Sequence, residues 1–128
     1  MSFLLDTNVV IQLRDGDKAI EARLAALTGV VLLSIISRVE LEGGVFREPA
    51  YAGMRRAKLD TILRSMPVVE FDHASADAYR QILETVSYSR RKLLDRMIAA
   101  QALVHRATLV TRNPADFRDI PGLDVLAW

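Results

Sequence analysis

The chain has no cysteine, two histidines and one tryptophan. Without cysteine there is no disulfide framework and no thiolate metal site. That fits a reducing, cytoplasmic setting. His73 and His105 lie far apart in the chain, so a histidine acid–base pair has little to draw on. Both read as surface or capping residues. No apolar run approaches the length that spans a membrane. The first residues lead directly into an apolar strand, without a basic leader or a cleavage signal.

What remains is an ordinary soluble composition. Of 128 residues, 51% are hydrophobic and 26% charged, enough for one domain spanning 1–128 with a single sizeable core. Strand candidates are Phe3–Leu5, Val30–Ile35, Val68–Phe71, Thr108–Thr111 and a weak Asp124–Leu126. Their continuous Val, Ile and Leu runs suit strands buried on both faces. Helical spacing is read at Lys18–Leu27, Arg38–Phe46, Met54–Met66, Ala74–Val86 and Leu93–His105. In the last of these Leu94, Met97, Ile98, Gln101 and Val104 recur at helical period. The alternation predicts an α/β fold: a mainly parallel sheet of about five strands with helices on both faces.

Against this background four acids stand out. Asp6 ends the short apolar run Phe3-Leu4-Leu5, at the carboxyl end of a buried strand. Ligands of open parallel sheets bind at that rim. Asn8 is the better placed cap for a helix beginning at Val9, which leaves Asp6 without a capping role. Glu40 closes Ser37-Arg38-Val39-Glu40, a capping-box spacing just after the second strand. Asp95 lies early in its helix, where the dipole favours a carboxylate, but its face is otherwise Ile98, Ala99 and Ala102. Such an acid needs compensation, from a cation or from Arg91 one turn earlier. Asp116 follows the fourth long strand in Asn113-Pro114-Ala115-Asp116, a tidy helix start.

Glu40, Asp95 and Asp116 each have a local explanation, yet one shared pocket explains all four acids. Clustered carboxylates raise one another's pKa and stay ionised together only beside a cation. An all-oxygen set without His or Cys suits Mg²⁺ or Mn²⁺ rather than Zn²⁺. Setting four acids aside from a net charge of +1 leaves +5 on the remaining surface. Its basic clusters are Arg55, Arg56 and Lys58, and Arg90, Arg91, Lys92 and Arg96. They are either solvated helix faces or contacts for a polyanion.

These residues carry a family resemblance. Leu4-Leu5-Asp6-Thr7-Asn8-Val9-Val10 resembles the opening of PIN-domain nucleases. Ser37-Arg38-Val39-Glu40-Leu41 resembles their second block, Leu94-Asp95-Arg96-Met97-Ile98-Ala99-Ala100 their third and Leu109–Phe117 their fourth. The closing Ile120-Pro121-Gly122-Leu123 and Trp128 are similar to small VapC-type toxins of bacterial toxin–antitoxin pairs. The resemblance covers essentially the whole chain. It implies a PIN-like three-layer α/β/α fold and a metal-dependent endoribonuclease, the toxin of a type II pair. Asp6 and Asp95 would hold the principal Mg²⁺, with Mn²⁺ as a substitute, and Glu40 and Asp116 would complete the carboxylate ring. Thr7, Asn8, Ser37, Thr111 and Asn113 would orient those acids, and Arg91, Lys92 and Arg96 would contact phosphate. Hydrolysis would leave a 5′-phosphate and a 3′-hydroxyl on RNA. The family further implies a small antitoxin that blocks the pocket, and a homodimer.

Other classes share some of these features. A receiver-like signalling domain has similar length and an acidic rim, but pairs acids at its first strand and places Lys after its last. Here Asp6 stands alone and Arg112 follows Thr111. A haloacid-dehalogenase-type phosphatase needs a second Asp where this chain has Asn8. A metal-binding interaction module without nuclease activity, whose acids receive a partner's Arg, stays open at this stage.

Overall fold

The computed structural model describes residues 1–128. Its sheet contains β1 (Ser2–Leu5), β2 (Val30–Ser34), β3 (Val68–Val69), β4 (Thr108–Thr111) and β5 (Val125–Ala127). The strands lie in the order β3-β2-β1-β4-β5, and every neighbouring pair is parallel. Chain order runs outward from β1 through β2 to β3, then restarts at β4 on the other side. The switch point therefore lies between β1 and β4, where ligands of such sheets settle.

Side-chain alternation divides the core in two. Leu4 pairs in register with Leu32 and Leu109, and these three face α5 (His73–Thr85) and α6 (Leu93–Val104). Leu5 pairs with Leu33 and Val110, and these face α1 (Thr7–Arg14), α2 (Lys18–Ala26), α3 (Ile35–Arg47) and α4 (Ala52–Ser65). The α6 side is built from Ile98, Ala99, Ala100 and Ala102, all fully buried, which let the helix lie close on the sheet. Phe117, from a short 3₁₀ turn at Pro114–Phe117, fills the same layer. The architecture is the three-layer α/β/α arrangement expected, with an entirely parallel sheet. No helix is long and apolar enough to cross a membrane.

Differences from the sequence reading sit at element ends. The third strand is only Val68–Val69, because Glu70 and Phe71 leave the ladder before Asp72 caps α5. The helix expected from Arg38 begins at Ile35. Ile35 and Ile36 look like strand residues, yet Ser34 ends β2 and its hydroxyl accepts from Ile36 N–H at 3.0 Å. Ser34, not Ser37, is the cap, so Glu40 stands in the second turn and closes no capping box. Likewise α1 begins at Thr7, and its cap is Asp6 rather than Asn8.

Candidate active site

Each of the four acids reaches the carboxyl rim from a different segment. Asp6 leaves β1 and is 5% exposed. Its backbone N–H donates to Val110 C=O at 2.8 Å, tying it to β4 across the switch point. Thr111 Oγ1 donates to one carboxylate oxygen at 2.7 Å, and Thr7 N–H donates to the other at 2.9 Å. Asp6 thus has both oxygens fixed while it caps α1.

Glu40 comes from α3. Thr7 Oγ1 donates to its Oε1 at 2.8 Å. Ser37 Oγ lies 2.7 Å from Thr7 Oγ1, and with the threonine proton given to Glu40, Ser37 is the donor. Asp95 comes from the first turn of α6, and Asp116 from the 3₁₀ turn after β4. Asp6, Thr7, Asn8, Ile11, Glu40, Asp95, Asn113 and Asp116 line one open pocket of about 240 Å³. All four acids singled out from the sequence therefore share it.

Of the expected orienting residues, Thr7, Ser37 and Thr111 act on the acids as just described. Asn113 N–H donates to Thr111 Oγ1 at 3.0 Å, and Asn8 Oδ1 accepts from Arg112 N–H at 3.4 Å. Arg96 departs from expectation. It is 4% exposed and donates to Ser87 C=O at 2.7 Å and to Asp119 at 3.5 Å. It secures the segment before α6 and is closed to phosphate, whereas Arg91 is exposed and Lys92 partly so. Nor does Arg91 compensate Asp95, since the cationic group that acts on that carboxyl is Lys92. Both histidines are exposed, with His105 at the C-cap of α6.

The acids act on one another. Burial pushes Asp6 up, opposed by its Thr111 and Thr7 hydrogen bonds and reinforced by Glu40 and Asp116. Burial also raises Glu40, with Thr7 opposing and Asp95 reinforcing. Asp95 is pushed up to about 6, first by burial and then by Asp6 and Asp116, against the pull of Lys92. No Arg or Lys forms an ion pair with any of the four. The site thus concentrates negative charge that the protein itself leaves unbalanced. Its donors are all oxygen, the chemistry that suits a hard divalent cation. No three Asp, Glu, His or Cys side chains converge as ligands of one ion.

Sequence reasoning passed over two polar residues behind the site. Gln101 and Ser34 are completely buried. Its spacing places Gln101 on an otherwise apolar helix face. A glutamine in that stripe was itself the signal, because a buried amide needs partners.

The fold and pocket together define a class: parallel three-layer α/β domains with an uncompensated ring of acids at the switch point. The chain belongs to the PIN domain family, whose sequence pattern matches residues 3–123. It is 28% identical to the ribonuclease VapC2 of Rickettsia felis, over all of this chain and 98% of that protein. The structure of VapBC2 from Rickettsia felis, bound to a DNA fragment from their promoter, superposes with a TM-score of 0.86 at 26% identity. That match covers 100% of this chain and 99% of the other. A toxin–antitoxin complex from Klebsiella pneumoniae matches with a TM-score of 0.76 at 27% identity, covering 97% of this chain and 95% of the other.

Proposed function

We propose that this chain is a divalent-cation-dependent endoribonuclease and the toxin of a type II toxin–antitoxin pair. The observation that carries the proposal is the convergence of Asp6, Glu40, Asp95 and Asp116 on one pocket with no ion pair to any of them. The full-length likeness to a ribonuclease VapC2 supports the reaction class, and the likeness to a toxin–antitoxin complex supports the pairing.

Asp6 and Asp95 would hold the ion, Mg²⁺ with Mn²⁺ as substitute, and Glu40 and Asp116 would complete the ring. When bound there, a divalent cation would supply charge for the phosphoryl oxygens and lower the pKa of water. The chain's own residues do the positioning. Thr111 and Thr7 N–H hold the Asp6 carboxylate, and Thr7 Oγ1 turns Glu40 toward it. Arg91 and Lys92, beside the first turn of α6, contact phosphates of the strand being cut. Water adds to phosphorus and the bond to the 3′-oxygen breaks, leaving a 5′-phosphate and a 3′-hydroxyl. The acidic ring also gives a small antitoxin a place to deliver a cationic side chain. A homodimer and a cytoplasmic setting accompany this reading.

The test is cleavage of RNA with and without Mg²⁺. Cleavage should appear with Mg²⁺ or Mn²⁺, vanish in EDTA and leave ends that ligate only as 5′-phosphates. Activity that persists in EDTA refutes the reading. The rival interaction module requires a domain that binds Mn²⁺ and a partner but cuts no RNA.

A further inference from the structure

Gln101 and Ser34 form a buried hydrogen-bonded junction between α6 and the cap of α3. Ser34 Oγ donates to Gln101 Oε1 and accepts from Ile36 N–H at 3.0 Å. Gln101 Nε2 donates to Val69 C=O at 3.1 Å. One amide thereby ties α6 to the end of β3 and to the cap of α3. No other hydrogen bond joins α3 and its cap to α6. Both side chains are 0% exposed, so water cannot replace a lost partner.

The junction shares its two helices with two of the acids. Glu40 lies six residues beyond Ser34 on α3, and Asp95 six residues before Gln101 on α6. At 1.5 Å of rise per residue each acid is about 9 Å along its helix from the junction. With that lever a helix tilt of about 7° carries a carboxylate on the order of 1 Å. Glu40 has one further anchor, the Thr7 hydroxyl, and Asp95 accepts no hydrogen bond from a side chain.

We infer that Gln101 is a positioning residue: through Ser34 it fixes α6 against α3 and so sets the spacing of Asp95 and Glu40 that a divalent cation meets. The inference rests on the reading of the pocket as a cation site. It asks more of Gln101 than stability. Hydrophobic packing already holds α6 to the sheet through Ile98, Ala99, Ala100 and Ala102. Packing of small side chains is non-directional, whereas an amide with two fixed partners defines an angle.

The test uses two readouts. In unlabelled protein, Mn²⁺ binding is titrated by electron paramagnetic resonance for the wild type, Gln101→Met, Ser34→Ala and the double variant. In metal-free protein, spin labels on cysteines placed at Val39 and Leu94 report the α3–α6 distance distribution. Both positions are exposed and the chain has no native cysteine. Labelled chains are diluted in unlabelled ones to suppress signals between copies.

Gln101→Met should weaken Mn²⁺ binding about tenfold, the low end of what loss of an outer-shell partner costs, because Gln101 acts on Asp95 and Glu40 only through their helices. It should also broaden the distance distribution. Ser34→Ala should do the same, and the double variant should be no worse than either single. Ile62→Ala, in the α4 core, should lower the melting temperature and change neither readout. If Gln101→Met behaves like Ile62→Ala, or keeps its distance distribution while binding weakens, the inference is overturned. A broadened distribution in a protein whose wild type binds no Mn²⁺ removes the cation reading and leaves the junction's positioning role standing.

Discussion

The two rims of the sheet resolve their conflicts differently. At the amino rim the problems are steric. Gly29 has φ +140°, and a Cβ there would meet Met1 O at 2.3 Å. Arg106 turns with φ +50° between α6 and β4. Backbone pairing settles both places: Val30 N–H donates to Met1 C=O at 3.1 Å, and Ala107 N–H to Ala102 C=O at 2.9 Å. At the carboxyl rim the problem is electrostatic, and the protein leaves it open. Asp6, Glu40 and Asp95 are all raised above their usual values, and no base pairs with them. One rim spends its residues on stability. The other gives stability up, as sites that await a ligand commonly do.

The sharpest way to break that contrast is to neutralise the carboxyl rim. Asp95→Asn and Asp6→Asn should each reduce RNA cleavage by at least about a hundredfold. Asp95→Asn should cost no stability, and Asp6→Asn should cost about 1 kcal/mol, because one amide end can no longer accept from Thr111. Asn serves as well as Asp at a helix cap, so Asp6→Asn keeps α1 anchored. Asp95→Asn removes a repelled charge and should raise the melting temperature of the cation-free protein at pH 7. A drop in that temperature would mean that the rim is structural after all.

The amino rim should answer the opposite way. Gly29→Ala places a methyl against Met1 C=O in a conformation that Ala disfavours. The cost should be about 2 kcal/mol in denaturant unfolding. Cleavage per folded molecule should stay unchanged. Lost activity in a fully folded Gly29→Ala would couple the rims and erase the distinction.

A smaller effect appears with pH. A raised carboxyl pKa means that the native chain binds more protons than the unfolded one between the two values. For Asp95 that window runs from 3.8 to about 6. Asp6 and Glu40 act in the same direction. Without a divalent cation, stability should therefore fall as pH rises from 4.5 toward 7. Glu42 and Asp72 carry lowered values and favour the native state as pH rises, but their contribution is complete once pH has passed above their ordinary values of 4.5 and 3.8. Thermal melts across this range should slope downward in the wild type and flatten in Asp95→Asn. Added Mg²⁺ should raise the melting temperature more at pH 7 than at pH 5, because it competes with protons for the ring.

The carboxyl half of this contrast was legible in the sequence. The apolar runs revealed the buried strands, and the position of each acid after a strand or early in a helix revealed the ring. Helix starts were misread for a definite reason. Ser34 and Ser37 are both competent caps, and only the end of the β2 ladder decides between them. Arg96 was misplaced because its fate depends on Ser87 and Asp119, which lie 9 and 23 residues away. Gln101 was hidden by its own periodicity: its partners Ser34 and Val69 lie 67 and 32 residues upstream. Spacing along a chain reports which face a residue occupies, but not which distant group meets it there.

The finest test of the amino rim is Arg106. It occupies the left-handed position that ends α6, with Ala107 N–H reaching Ala102 C=O and Arg106 N–H reaching Leu103 C=O. Helices that end this way favour glycine there, because a Cβ is strained at positive φ. Arg106→Gly removes that strain but also removes a cation near the helix's negative end and frees the unfolded backbone. The first effect is on the order of 1 kcal/mol and the other two offset part of it. A net gain of about 0.5 kcal/mol should follow, read as a small rise in the denaturation midpoint with an unchanged slope. High salt isolates the strain. It screens the lost charge and leaves the steric term untouched, so the advantage of Arg106→Gly should widen as salt is added. A gain that shrinks in salt would make electrostatics the controlling term at this rim too.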